Sequence, residues 1–153
     1  MGWEIRLKIL VTVGSTPFNE LFHYLDLFFP RLPMTYQTFS EKKFRHPSFL
    51  YFNDFNSVLS EYDVVISHCG AGSVFKFLEA RKTCLFVVNT ERSDTHQIDI
   101  AKYVEANNYG LVAFSLSEIP LKLIKLLGGY KSNFYQVDKE FDGHYDVIDM
   151  LER

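Results

Sequence analysis

Three short apolar runs rich in β-branched residues each end at a glycine or a polar loop and then give way to a helix-like stretch. They are "KILVTVG" before "STPFNELFHYLDLFF", "DVVISHCG" before "AGSVFKFLEA", and "TCLFVVN" before "DTHQIDIAKYVEA". This repeated change from a buried-strand pattern to helical spacing leaves few architectures open. Strand–helix–strand connections within one sheet are right-handed, and they place helices on both faces of a mostly parallel sheet. The expected fold class is therefore α/β. In such sheets ligands sit outside the carboxyl ends of the strands, which directs attention to the loops at 14–17, 68–72 and 89–96.

The spacing predicts a first strand over residues 7–13. A helix follows with Pro17 in its first turn, and Leu21, Phe22, Leu25, Phe28 and Phe29 recur at helical spacing up to Pro30. Strands are expected at 34–39 and 48–52, joined by the charged "SEKKFRHP", and a short helix at 54–62 opens on Asp54 as its cap. Then come a strand at 63–67, a helix from Ser73, a strand at 83–88, a helix at 95–107, a strand at 110–114 and an amphipathic helix through "LSEIPLKLIKLL". The glycine-punctuated tail, 128–153, is given only a terminal helix from about residue 143. No repeat or linker divides the chain, so residues 1–153 are read as one domain.

At 153 residues, with 47% hydrophobic and 23% charged residues, the chain has the composition of a globular domain able to bury a sizeable core. A net charge of -3 gives no global attraction to nucleic acid, and no nucleic-acid partner is expected. Cys69 and Cys84 adjoin or lie within apparent core strands and read as reduced thiols, which fits the cytoplasm. The N-terminus lacks the pattern of a secretory signal, and no run approaches the roughly 18 apolar residues of a membrane span. Aromatic residues make up 16% of the chain, with 15 Phe and 9 Tyr; they fit either an aromatic core or apolar surface that meets a partner.

The turn at Gly70, Ala71 and Gly72 leads straight into a helix start. Free N–H groups and a partial positive charge there suit a phosphate, although a tight turn alone also accounts for two glycines. Ser73 either donates to that phosphate or caps the helix. Gly14, Ser15 and Thr16 repeat the arrangement at the first strand. His68, just before the glycine turn, is a candidate for bonding a diphosphate or moving a proton, and equally for a core histidine bonded to backbone. In "SDTHQ", Asp94 and Gln97 offer the acceptors and donors that sugar hydroxyls require, or else a capping box; His96 is a further ligand candidate or plain polar surface. No paired acidic motif accompanies Asp94, so neither a bound metal nor another cofactor is expected.

Taken together, "ILVTVGSTPFNEL", "DVVISHCGAGSVFKFLEARK" and "DTHQIDIAKYVEANNYG" resemble the family that contains the catalytic subunit of the split dolichol-pathway N-acetylglucosaminyltransferase and its bacterial exopolysaccharide counterparts. The chain also resembles the C-terminal, donor-binding half of family 28 glycosyltransferases. The resemblance implies a Rossmann-like sheet forming one half of a GT-B glycosyltransferase, with the active site between two halves. It implies a UDP-sugar as donor, a lipid-linked acceptor, and a membrane-anchored partner that carries the acceptor-binding half and recruits this cytoplasmic chain to the membrane. Two positions depart from the family. Lys76 stands where the single-chain enzymes carry the acidic residue that binds the ribose, with Glu79 one turn later as a substitute, and Cys69 stands where alanine is usual.

The expected function is that of an inverting glycosyltransferase subunit that passes a sugar from UDP to a polyprenyl-diphosphate-linked acceptor. A non-catalytic nucleotide-sugar-binding module that regulates a partner is the alternative from another class. The greasy face of the first helix and the "LKLIKLL" helix with Lys122 and Lys125 are candidate partner or membrane surfaces, or else core packing with lysines reaching out.

Overall fold

The computed structural model describes residues 7–14, 17–40, 42–50, 54–89 and 95–135. The expected terminal helix and candidate residues Ser15, Thr16 and Asp94 lie outside them. Six strands form one parallel sheet in the order β3-β2-β1-β4-β5-β6, where β1 is Ile9–Thr12, β2 Met34–Gln37, β3 Ser48–Phe49, β4 Val64–His68, β5 Thr83–Val87 and β6 Leu111–Ala113. The central strands β1 and β4 are buried along their whole length, as their unbroken apolar runs require. β3 is an exposed two-residue edge, shorter than the expected 48–52.

Helices α1 (Asn19–Phe28) and α5 (Ile119–Leu127) cover one face, packing Leu21, Phe22, Leu25, Ile119, Leu123 and Leu126 against Ile9, Val11, Ile66 and Leu85. Helices α2 (Phe55–Leu59), α3 (Ala71–Glu79) and α4 (Thr95–Ala106) cover the other, around Leu10, Val65, Cys84 and Phe86. The alternation of inward residues along β1 and β4 thus supplies two cores, one per face.

The helix boundaries follow from local chemistry. Pro17 is not in the first turn of α1. The chain is still non-helical at Phe18 (φ -150°, ψ 59°), and the Pro17 carbonyl accepts a bond from Asn89 Nδ2 at 3.0 Å. Asp54 caps α2 as expected, accepting from the Ser57 N–H (3.3 Å) and hydroxyl (2.7 Å). α3 and α4 end at the left-handed residues Arg81 (φ 58°) and Asn108 (φ 52°), whose turns return N–H groups to the last carbonyls of each helix.

Beyond α5 the chain crosses to the opposite face. Asn133 N–H donates to Asn108 O (2.8 Å), Asn133 Nδ2 to Asn107 O (2.9 Å) and the Tyr130 hydroxyl to Asn108 Oδ1 (2.7 Å). Tyr135 then packs against Phe75 and Tyr109, with ring centroids 5.5 and 5.3 Å apart. This strap adds a link between two faces that already share the sheet.

Candidate functional site

The connection from β1 runs outward to β2 on one side of the sheet, and that from β4 runs to β5 on the other. Because β1 and β4 are neighbours, a crevice opens beyond their carboxyl ends. Thr12 pairs with Ser67, so Gly14 and Cys69 sit at the same level just past the last pair.

Gly14 turns the chain there with φ +61°, a conformation that disfavours any Cβ. A Cβ on it would lie 3.8 Å from Ser73 Oγ, so the first and second candidate loops are neighbours. The Gly14 N–H reaches Thr12 Oγ1 at 3.4 Å, the Thr12 hydroxyl bonds Gln37 Oε1, and Gln37 Nε2 donates to Leu50 O at 3.1 Å. Thr12 and Gln37 are buried, and this chain of bonds runs from the β1 turn to the β3 edge.

The second loop is the start of α3. Gly70 is the N-cap in extended conformation (φ -76°, ψ 140°), with no side-chain cap, and the first helical bond is Val74 N–H to Gly70 O at 2.9 Å. Ser73 is therefore the third residue of the helix and not its cap, which corrects one of the two roles expected of it. The N–H groups of Ala71, Gly72 and Ser73 precede the first intrahelical bond and point out of the helix end, where the helix dipole adds a partial positive charge. No acidic residue occupies the first turn.

The two glycines serve different purposes. A Cβ at Gly70 would fall 2.4 Å from His68 Cε1, whereas a Cβ at Gly72 would meet nothing within 4 Å. Gly70 makes room for the His68 ring, and Gly72 borders open space. His68 ends β4, 6% exposed, with Nε2 3.2 Å from Ser73 Oγ. Burial beneath the turn pushes the Cys69 thiol well above its ordinary range.

At the third loop Gln97 is buried, and its Oε1 accepts the Asn89 N–H at 2.9 Å, while Asn89 Nδ2 holds the Pro17 carbonyl. This pair clamps the loop after β5 to the loop after β1. His96 is half-buried in the first turn of α4. Lys76 places its ammonium 4.0 Å from the centroid of the Phe55 ring on α2, about 7.5 Å along α3 from Ala71, and Glu79 lies exposed about 12 Å along. Neither stands at the mouth of the α3 N-terminus.

Thr12, Gln37 and Asn89 are the positioning residues that the sequence patterns left unmarked. Their one signal is position: Thr12 and Gln37 close β1 and β2, and Asn89 follows the apolar run of β5 by two residues.

The family model for the glycosyltransferase family 28 C-terminal domain matches residues 30–133, which span the sheet from β2 to β6 and the α3 turn. The chain belongs to the glycosyltransferase family 28 C-terminal domain family.

Among similar proteins, the UDP-N-acetylglucosamine transferase subunit ALG13 of Candida albicans is 32% identical over 72 residues, 47% of this chain and 24% of that one. The protein of the same name from Homo sapiens is 27% identical over 118 residues, 66% of this chain and 10% of that one. This family 28 domain thus spans a quarter or less of the length of these two curated relatives. A solution structure of ALG13 superposes with a TM-score of 0.63 at 16% identity, covering 96% of this chain and 98% of the other. The architecture is the Rossmann-like half of a GT-B glycosyltransferase, as the resemblance implied.

Proposed function

We propose that this domain is the donor-binding subunit of an inverting glycosyltransferase that moves a sugar, N-acetylglucosamine before other hexoses, from a UDP-sugar to a polyprenyl-diphosphate-linked acceptor. The carrying observation is the uncapped start of α3 at the β1–β4 crevice, with three outward N–H groups beside the open flank of Gly72. Family 28 membership and the printed function of the ALG13 relatives support UDP-N-acetylglucosamine as the donor.

In this mechanism the diphosphate of the donor sits against the N–H groups of Ala71, Gly72 and Ser73. As the bond between the anomeric carbon and the diphosphate oxygen breaks, negative charge grows on the leaving group, and the preset N–H dipoles stabilise it without a metal ion or another cofactor. By analogy with oxyanion-hole removals, each donor is worth about 2.7–4 kcal/mol. With its Nε2 proton donated to Ser73 Oγ, His68 turns the Ser73 hydrogen outward to a phosphate oxygen. Gly14 lies on the facing side of the crevice, and His96 and Gln97 orient the sugar; the parts expected of Ser15, Thr16 and Asp94 fall on positions outside the described residues. The Gln97 contribution falls to its amide nitrogen, because its carbonyl oxygen holds Asn89.

The base that deprotonates the acceptor hydroxyl lies opposite the leaving group, on an acceptor-binding partner subunit. That partner is membrane-anchored and brings this chain to the cytoplasmic face. Among the described residues no helix is long and apolar enough to cross a membrane.

Amide NMR during UDP titration tests the donor site: the signals of Gly14 and of Ala71, Gly72 and Ser73 are expected to move first. Changes confined to another part of the sheet would overturn the assignment. Mixing with a membrane half-transferase, UDP-N-acetylglucosamine and a polyprenyl-diphosphate acceptor is expected to yield glycosylated lipid, whereas UDP binding with no transfer from any donor would leave the regulatory module in its place.

A further inference from the structure

The connection from β2 to β3 is held by one carboxylate on α1. Asp26 accepts the N–H of Arg45 through both oxygens (3.0 and 2.8 Å) and that of His46 through Oδ1 (3.3 Å). His46 Nε2 donates to Phe29 O at 2.9 Å, and the Phe44 ring sits 5.4 Å from Tyr36 and 5.8 Å from Phe22. The loop is therefore anchored to the core, and it carries Lys42, Lys43 and Arg45 on a fixed base.

Between this loop and β3 is a hollow of about 460 Å³ whose lining includes Thr38, Ser40, Lys42 and Lys43. Thr38 Oγ1 already accepts the Ser40 N–H (3.1 Å), and Ser40 Oγ accepts the Lys42 N–H (3.2 Å). Each hydroxyl therefore keeps its hydrogen to donate. The Lys42 ammonium lies 3.2 Å from His23 Nε2 and keeps two of its three hydrogens to donate. With Lys43 and the two hydroxyls, and no carboxylate among the described lining residues, the hollow selects for an anion of the phosphate type. Around the hollow, Phe39 is 54%, Phe49 49% and Leu50 56% exposed. A free phosphate leaves these apolar groups in water, whereas a phosphate carried on an apolar body covers them.

We propose that this edge docks directly on a bilayer, with the phosphate headgroup of an anionic lipid in the Lys42–Lys43 hollow and Phe39, Phe49 and Leu50 at the acyl boundary. The charge of the loop complements an anionic leaflet, and the apolar rim supplies the second signal that stable surface binding requires. Thr38 and Ser40 set one side of the hollow just past the carboxyl end of β2, the same sheet edge as the β1–β4 crevice, while His46 and Pro47, which precede β3, line the other side.

Co-sedimentation of the full chain with vesicles of equal parts phosphatidylcholine and phosphatidylglycerol tests this, without nucleotide and without any partner. Binding is expected to the mixed vesicles and not to phosphatidylcholine alone. Lys42→Gln combined with Lys43→Gln is expected to lower partitioning roughly 30-fold. Phe39→Ser with Leu50→Ser abolishes it at an unchanged circular dichroism spectrum. Lys122→Gln with Lys125→Gln on α5 leaves it intact. Should the double lysine variant not fold, Lys43→Gln alone is expected to lose roughly fivefold. Equal binding to neutral vesicles, loss in the α5 variant with retention in the loop variants, or release by inorganic phosphate at matched concentration would each overturn the proposal. The last result would make the hollow a site for free phosphate.

Discussion

Gly70 and Gly72 are indistinguishable in the string "GAG", and the structure separates them by what a methyl group would meet. Gly70→Ala drives its Cβ into the buried His68 ring at 2.4 Å, so it is expected to destabilise the fold by about 1–3 kcal/mol, read as a lower urea midpoint, and to break the His68–Ser73 contact. Gly72→Ala projects into open space from a helical position and is expected to stabilise by about 0.4–1 kcal/mol while weakening UDP binding at least tenfold. Calorimetric titration and thermal melting of the same variant check both signs at once, and unimpaired UDP binding by Gly72→Ala would remove the diphosphate from this flank. That a glycine turn leads straight into a helix start here was legible in the residues. Which glycine makes room for the ring and which borders open space was not, because the difference depends on where the strand delivers His68.

The order of strands and helices was readable from periodicity, since each strand is a short apolar run and each helix keeps its inward residues on one side. The ends were less readable. α3 starts at Ala71 and not at Ser73 because extended Gly70 serves as a cap without a side chain, and two glycines in three residues read as turn. The latches between elements left even less trace: Thr12 and Gln37 are 25 residues apart, and Asn89 and Pro17 are 72 apart, so only the folded sheet brings them together. Asn89 holds two loops at once. Asn89→Ala is expected to cost about 1–2 kcal/mol by loss of the Pro17 bond, and Gln97→Leu about 1–3 kcal/mol by leaving the buried Asn89 N–H without its acceptor. Urea midpoints measure both costs. Faster hydrogen exchange in residues 18–20 of Asn89→Ala is the local signature of the lost clamp.

At the scale of the molecule, burial pushes both cysteine thiols far above their ordinary value of 9.0. The native state keeps those protons while the unfolded chain releases them above pH 9, so stability falls as pH rises beyond that point, by about 1.4 kcal/mol per pH unit for each thiol. Tyr130, pushed up to about 12 by its burial, adds in the same direction. Urea midpoints are expected to be flat from pH 7 to 8.5 and to decline above 9, and Ellman's reagent is expected to react with the thiols only on unfolding. The strap from Tyr130 to Tyr135 has its own consequence. It fastens the α5 side to the aromatic group on the α3–α4 side, across faces that already share one sheet. Tyr135→Ala is therefore expected to keep a single calorimetric peak and lower its midpoint, by about 3 kcal/mol in stability, with faster hydrogen exchange in residues 130–134. A belt of six residues thereby works as a buckle on a body that its sheet has already made whole.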